Sequence, residues 1–235
     1  MEQVLFDQNE QILFFLYIIS GTLSAVISWN LLRIYKLFSS SYIFALVVGF
    51  GLISFGHFLF VGTIEFVDNE SIFNFLHWLQ LSIVTYGFAF IGLVYYFQKF
   101  SEKKFSSIVR TTLSSLILVG TTIFLIGIEN TQLIPRFQEY NEYFRIVNII
   151  MLGYFVFRTM DDPDLRNRKY LILVPFGFTI LFASEFQRFL FTIDPSSVPL
   201  VTSVVLNIAG LGVILFALYR KSKQKLAGVS TKYAT

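Results

Sequence analysis

The chain has no cysteine, only two histidines and five prolines, and 14% charged residues over its 235 positions. Without cysteine there are no disulfides, no thiolate metal ligands and no thiol nucleophile. Two histidines fall short of the three that seven-helix membrane metallohydrolases use, and no catalytic constellation is recognisable elsewhere. Charge this sparse also argues against a nucleic-acid partner. The net charge of +3 comes from bases at the ends of apolar runs rather than from a basic patch. The first ten residues carry Glu2, Asp7 and Glu10 and no base, unlike the positive leader of a cleavable signal peptide.

What is abundant is apolar. Hydrophobic residues make up 55% of the chain, aromatics 18%, including 29 Phe and 12 Tyr, and mean hydropathy is +0.67. They arrive in blocks of roughly 20, the length that crosses hydrocarbon. The blocks predict helices over Gln11–Lys36, Ser41–Glu65, Ile72–Gln98, Ser106–Ile128, a fifth from about Asn141 to Arg158, Arg168–Phe191 and Val198–Arg220. The expected fold is therefore an all-α integral membrane protein of seven transmembrane helices. Residues 1–220 form one membrane domain and 221–235 a polar, loose tail.

Of the 18 lysines and arginines, all but Arg136, Arg145 and Arg188 fall on one side of this arrangement. The positive-inside rule then places the N-terminus outside and the C-terminus in the cytoplasm, as an odd number of crossings requires. The expected location is the cell membrane, as a multi-pass protein. An internal match links the second and sixth runs. Setting Tyr42 on Tyr170, an offset of 128, pairs Gly49 with Gly177, Phe50 with Phe178, Gly56 with Ser184, His57 with Glu185 and Phe58 with Phe186. Gly87 can be laid on Gly210 in a shifted register. This suggests two parallel three-helix halves joined by the fourth helix, a 3+1+3 plan.

An ionisable side chain in an apolar run points to a functional site, because lipid penalises polar groups that lack partners. His57 and His77 lie toward the same membrane face on runs joined by a short loop. Gln80 follows His77 by three residues and Ser54 precedes His57 by three, so each shares a helix face with its histidine. Glu185 with Arg188, and Arg145 with Asn148, are likewise spaced by three in the outer halves of their runs. Three readings compete. His57, His77 and Glu185 have the composition of a divalent metal site, with Gln80 or Ser54 as outer acceptors. The two histidines could instead ligate a haem, if their helices splay. In the third, these groups simply bond across helices and hold the bundle together. Ser107, Thr111, Ser114, Ser115 and Thr122 on the fourth run make a small-polar stripe expected to be a helix-packing face.

His77-Trp78-Leu79 resembles the Asp-Trp-Leu segment of the third helix of microbial rhodopsins, with the Asp replaced. Ala183-Ser184-Glu185 is similar to the Gly-Ser-Glu end of that family's sixth helix. Val205-Leu206-Asn207-Ile208-Ala209 can be laid on its seventh. The resemblance implies a seven-helix scaffold with Asn207 at an Asp position and Leu211 at the position of the retinal-linking lysine. No lysine lies inside any run, so covalently bound retinal is excluded. The functional expectation is a non-catalytic binding or sensing module, or a subunit of a larger membrane complex, with a polar site in the outer half. Its partners would be the lipid bilayer and other membrane subunits or a separate signalling protein. The competing expectation is a small-solute transporter of three-plus-one-plus-three helices, with Pro175 as a hinge.

Overall fold

The computed structural model describes residues 2–66, 70–96, 102–129, 141–160, 173–193 and 197–232. Apart from residues 39 and 40, these are all helical. The helices are α1 Glu2–Phe38, α2 Ser41–Phe66, α3 Glu70–Tyr96, α4 Glu102–Glu129, α5 Asn141–Met160, α6 Leu173–Ile193 and α7 Ser197–Lys232. The link between α1 and α2 shows how tightly the chain turns. Ser39 adopts the left-handed conformation (φ 48°) and donates its N–H to the Tyr35 carbonyl at 2.7 Å, closing α1. The Ser40 carbonyl then accepts the Phe44 N–H and opens α2.

The helices pack as a closed ring. α1 lies on α2, α2 on α3, α3 on α5, α5 on α6, α6 on α7, and α7 returns to α1, while α4 sits outside against α2 and α3. Phe105 and Val109 of α4 pack with Ala45 and Phe90, and Phe105 stacks on Tyr42 at 4.1 Å. The small-polar stripe of α4 is not the packing face expected of it. Ser107, Thr111, Ser114 and Ser115 are exposed, and phenylalanine makes the contact instead.

Two of the helix crossings are built alike. A Cβ on Gly49 would stand 2.9 Å from the Gly87 carbonyl, and one on Gly87 would stand 2.8 Å from that of Gly49. In α6 and α7 the same reciprocal fit joins Gly177 and Gly210, at 3.0 and 2.9 Å. Each glycine is also pressed by the partner helix's residue one turn further on: Ile91, Ile53, Ile214 and Leu181. Only glycine lets two backbones meet this closely, so sequence dictates the crossing point directly. The offset of 128 continues into the next turn. A Cβ on Gly56 would lie 3.4 Å from the Gln80 carbonyl; Ser184 uses the matching space to donate its hydroxyl to the Ser203 carbonyl at 2.7 Å.

The number of membrane crossings differs from expectation. Among the described residues four helices are long and apolar enough to cross a bilayer: Gln11–Leu37, Ser41–Phe66, Ile72–Gly92 and Val198–Arg220. This contradicts the seven-span layout: four candidate spans stand among the described residues. Block length was the signal in the sequence, and it ignored how polar residues dilute α5 and α6. In α4 the charges Lys103, Lys104 and Arg110 all precede the apolar stretch, and the side chains of 121–129 lie outside the described residues. α5 carries Glu142, Arg145, Asn148 and Arg158 in only 20 residues. α6 carries Glu185, Gln187 and Arg188 in 21. The orientation loses its support too, since the odd number of crossings that set the termini on opposite sides no longer holds. Nor is the chain after Arg220 a loose tail over its whole length, because α7 continues to Lys232. The expected loop at 130–140 and the acidic turn at 161–164 lie outside the described residues.

Inside the ring the side chains sort into layers. One end is filled by Ile27, Leu31, Phe50, Ile53, Phe88, Leu152, Phe178, Leu211 and their neighbours, contributed by all of the ring helices. The other end is closed by Leu13, Tyr17, Phe60, Phe191, Leu200 and Val204. Between them, α1 contributes Ser20 and Ser24, α2 Ser54 and His57, α3 Gln80, α5 Asn148, α6 Ser184, Glu185 and Arg188, and α7 Ser203 and Asn207, all buried. Burying this much polarity is costly unless partners or a ligand satisfy it.

Candidate functional site

The centre of the polar layer is Glu185. Its Oε1 accepts from Arg188 Nη1 at 2.9 Å and its Oε2 from Asn148 Nδ2 at 3.1 Å. Glutamate and arginine share a face because they are three residues apart on α6. The bond to Asn148 reaches across to α5. Arg188 also lies over the Tyr17 ring of α1, 5.8 Å from its centroid, and Tyr17 in turn packs on His57 of α2 at 5.4 Å. A continuous path thus runs from α5 through α6 and α1 to α2.

His57 is completely buried, and neither ring nitrogen has a hydrogen-bond partner. Arg188 Nε and Nη2 and Asn148 Oδ1 are buried without partners as well. Native interiors rarely leave such groups unmatched, so five atoms of this kind on three residues of one layer need an explanation. One turn further into the layer, Ser20 donates to Asn207 Oδ1 at 2.6 Å, tying α1 to α7, and Ser54 donates to the Gly21 carbonyl at 2.9 Å. Among the described residues the buried charged side chains are Arg145, Arg188 and Glu185.

His77 stands at the edge of this cluster. Its ring packs on Phe60 at 5.3 Å, and Phe60 packs on Tyr17 at 4.6 Å. The charges of Arg145 and Arg188 both act on His77, and that of Arg188 on His57. Contacts through Tyr17 and Phe60 link His57, His77 and the Glu185–Arg188–Asn148 group, and Gln80, Ser54 and Arg145 are buried in the same ring. Among the described residues no group of three His, Cys, Asp or Glu side chains is placed to hold a metal ion. The reason is local: Glu185 is committed to Arg188 and Asn148, and aromatic rings link the two imidazoles. The His57/His77/Glu185 set is thus not assembled as a ligand group among the described residues. Haem fits no better. His57 follows Gly56, where a Cβ would stand 2.7 Å from Val84 Cγ2, and helices this close leave no slot for a porphyrin.

Sequence reasoning passed over Tyr17, Ser20 and Ser24. Their spacing of three and four puts them on one face of α1, a polar stripe in an otherwise apolar run, and that signal was available. Asn207, which the rhodopsin resemblance sets at an Asp position, accepts the Ser20 hydroxyl. Leu211, at the lysine position of that alignment, belongs to the larger apolar layer. Comparison with known protein families, with curated proteins and with solved structures finds no match to this chain.

Proposed function

We propose that this chain is a non-catalytic, multi-pass protein of the cell membrane that binds a small anionic ligand in the polar layer of its helix ring. The observation that carries this reading is the set of unpartnered buried atoms on His57, Arg188 and Asn148, in which the donors are an imidazole and a guanidinium. Arginine and imidazole N–H groups donate to an anion such as a carboxylate or oxyanion, and neither needs a metal to do so. The layer is built from side chains of all the ring helices, so occupancy would tighten the ring as a whole. That suits a sensing module read by a separate membrane partner, or a regulated subunit of a larger complex.

The apolar layers at both ends of the polar one also favour a second reading, a small-solute transporter caught closed. Here the two layers act as gates; Pro175 lies in the first turn of α6, where a proline removes no helical hydrogen bond, so the hinge expected there is not available.

The test is a thermal-unfolding screen of purified protein in nanodiscs against small carboxylates, phosphate, nitrate and bicarbonate. A ligand at 100 times its Kd raises stability by about 2.7 kcal/mol. Saturable stabilisation that is lost in Arg188→Leu/Glu185→Leu supports binding. Flux of the same anion into sealed liposomes assigns transport, and binding without flux assigns the sensing module. No anion-dependent shift anywhere in the screen overturns both.

A further inference from the structure

At the end of the ring beyond the larger apolar layer, α1 and α7 part and leave a groove of about 680 Å³. That is within the roughly 300–1,000 Å³ of sites that take drug-sized molecules. Leu37 and Phe216 give it apolar walls, and Asn30, Arg33 and Tyr219 give it a polar mouth. Gly212 lies in the groove, where an added Cβ would meet nothing within 4 Å. Unlike Gly49 or Gly210, this glycine opens a space that its own fold does not fill. Arg33 sits over the Trp29 ring at 5.5 Å, and Arg220 over that of Phe216, a wall of the groove, at 5.1 Å. α1 has no acidic residue after Glu10, and α7 has none at all.

We infer that this groove seats one acyl chain of an anionic membrane phospholipid, with its phosphate held by Arg33 and Arg220. An apolar trough whose mouth carries arginines and neutral donors, on two helices with no acidic residue nearby, is complementary to such a lipid along its whole length. The planar guanidinium fork also suits phosphate oxygens better than an ammonium would. A zwitterionic lipid offers the same phosphate but brings its own cation to a rim that already has two arginines, so net negative lipid is preferred. The groove is separate from the polar layer, and the inference stands whatever that layer binds.

The chain's two tryptophans make this measurable. Trp29 is exposed beside Arg33 and Trp78 is buried, so the fluorescence of a Trp29→Phe variant subtracts the Trp78 signal. The full chain is placed in nanodiscs doped with a brominated-chain phosphatidylglycerol or, separately, with the matching phosphatidylcholine. The expected result is stronger quenching of Trp29 by the anionic lipid. Arg33→Gln and Arg220→Gln should each reduce that preference by about five-fold. Gly212→Leu, which fills the trough and keeps both arginines, should reduce the quenching too. Equal quenching by the two lipids overturns the proposal. So does a preference that the arginine variants remove and Gly212→Leu leaves intact, since the headgroup is then attracted with no chain seated.

Discussion

Asn148 and Glu185 are joined across α5 and α6 by a 3.1 Å hydrogen bond in which the amide donates to the carboxylate. The same carboxylate neutralises Arg188, so one side chain serves both a helix contact and a buried ion pair. Glu185→Ala leaves Arg188 buried without its carboxylate and is expected to destabilise the protein by about 3–5 kcal/mol. Asn148→Leu removes only the interhelical bond and should cost at most about 1.7 kcal/mol. Thermal unfolding in one nanodisc preparation compares the two. A Glu185→Ala cost no larger than that of Asn148→Leu would mean that the carboxylate does not hold the layer together.

His57 separates stability from function. Its nitrogens are buried and unmatched, so the folded protein carries the desolvation cost without a return. His57→Phe keeps a ring against Tyr17 and should leave unfolding unchanged or shift it upward by about 1–3 kcal/mol. The anion response proposed for the polar layer should disappear at the same time. A clear loss of stability in His57→Phe would instead show that the imidazole is satisfied within the protein, and the binding role would fail.

The sequence made the polar layer legible because oil makes polarity conspicuous: His57, Glu185, Arg188, Arg145 and Asn148 stand out in apolar runs. It could not reveal which atoms pair. The Glu185–Arg188 contact follows from helical spacing, but the reach of Asn148 to Glu185 depends on how α5 rotates against α6. Length misled in another way: α5 and α6 look like ordinary apolar blocks until their polar residues are counted against 20 and 21 positions. In α5 those residues include Arg145 and Asn148, which turn inward, while Ile150, Tyr154 and Phe157 turn outward. Tyr17, Ser20 and Ser24 were missed because hydroxyls contribute little to a search for charge.

The reciprocal glycines give a sharper test of the fold. Gly87→Ala would force a Cβ to within 2.8 Å of the Gly49 carbonyl, and Gly210→Ala to within 2.9 Å of that of Gly177. Backbone cannot move aside as a flexible side chain can, so each should cost about 1–3 kcal/mol. Gly62 is also within a helix, but a Cβ there meets nothing within 4 Å. Gly62→Ala should therefore raise stability by up to about 1 kcal/mol through helix propensity. Unfolding midpoints of the three variants check the pattern, and equal effects would refute the close crossings.

Gly56 and Ser184 occupy matching turns of the two alike crossings and should not be interchangeable. Ser184 bonds the Ser203 carbonyl at 2.7 Å, so Ser184→Ala loses one buried bond, about 1 kcal/mol. Ser184→Gly loses that bond and adds a helix-propensity cost of several tenths of a kcal/mol. At Gly56 the matching carbonyl, Gln80 O, is 3.4 Å from an added Cβ, but Val84 Cγ2 is at 2.7 Å. A serine there meets a β-branched methyl before it reaches its acceptor. Gly56→Ser should thus be destabilising, whereas Gly56→Ser combined with Val84→Ala should recover part of the loss, because the smaller neighbour frees the hydroxyl to reach the Gln80 carbonyl. Unfolding of the single and double variants measures the coupling directly. Strict additivity would mean that the two crossings resemble each other in their glycines and diverge in the turn that follows.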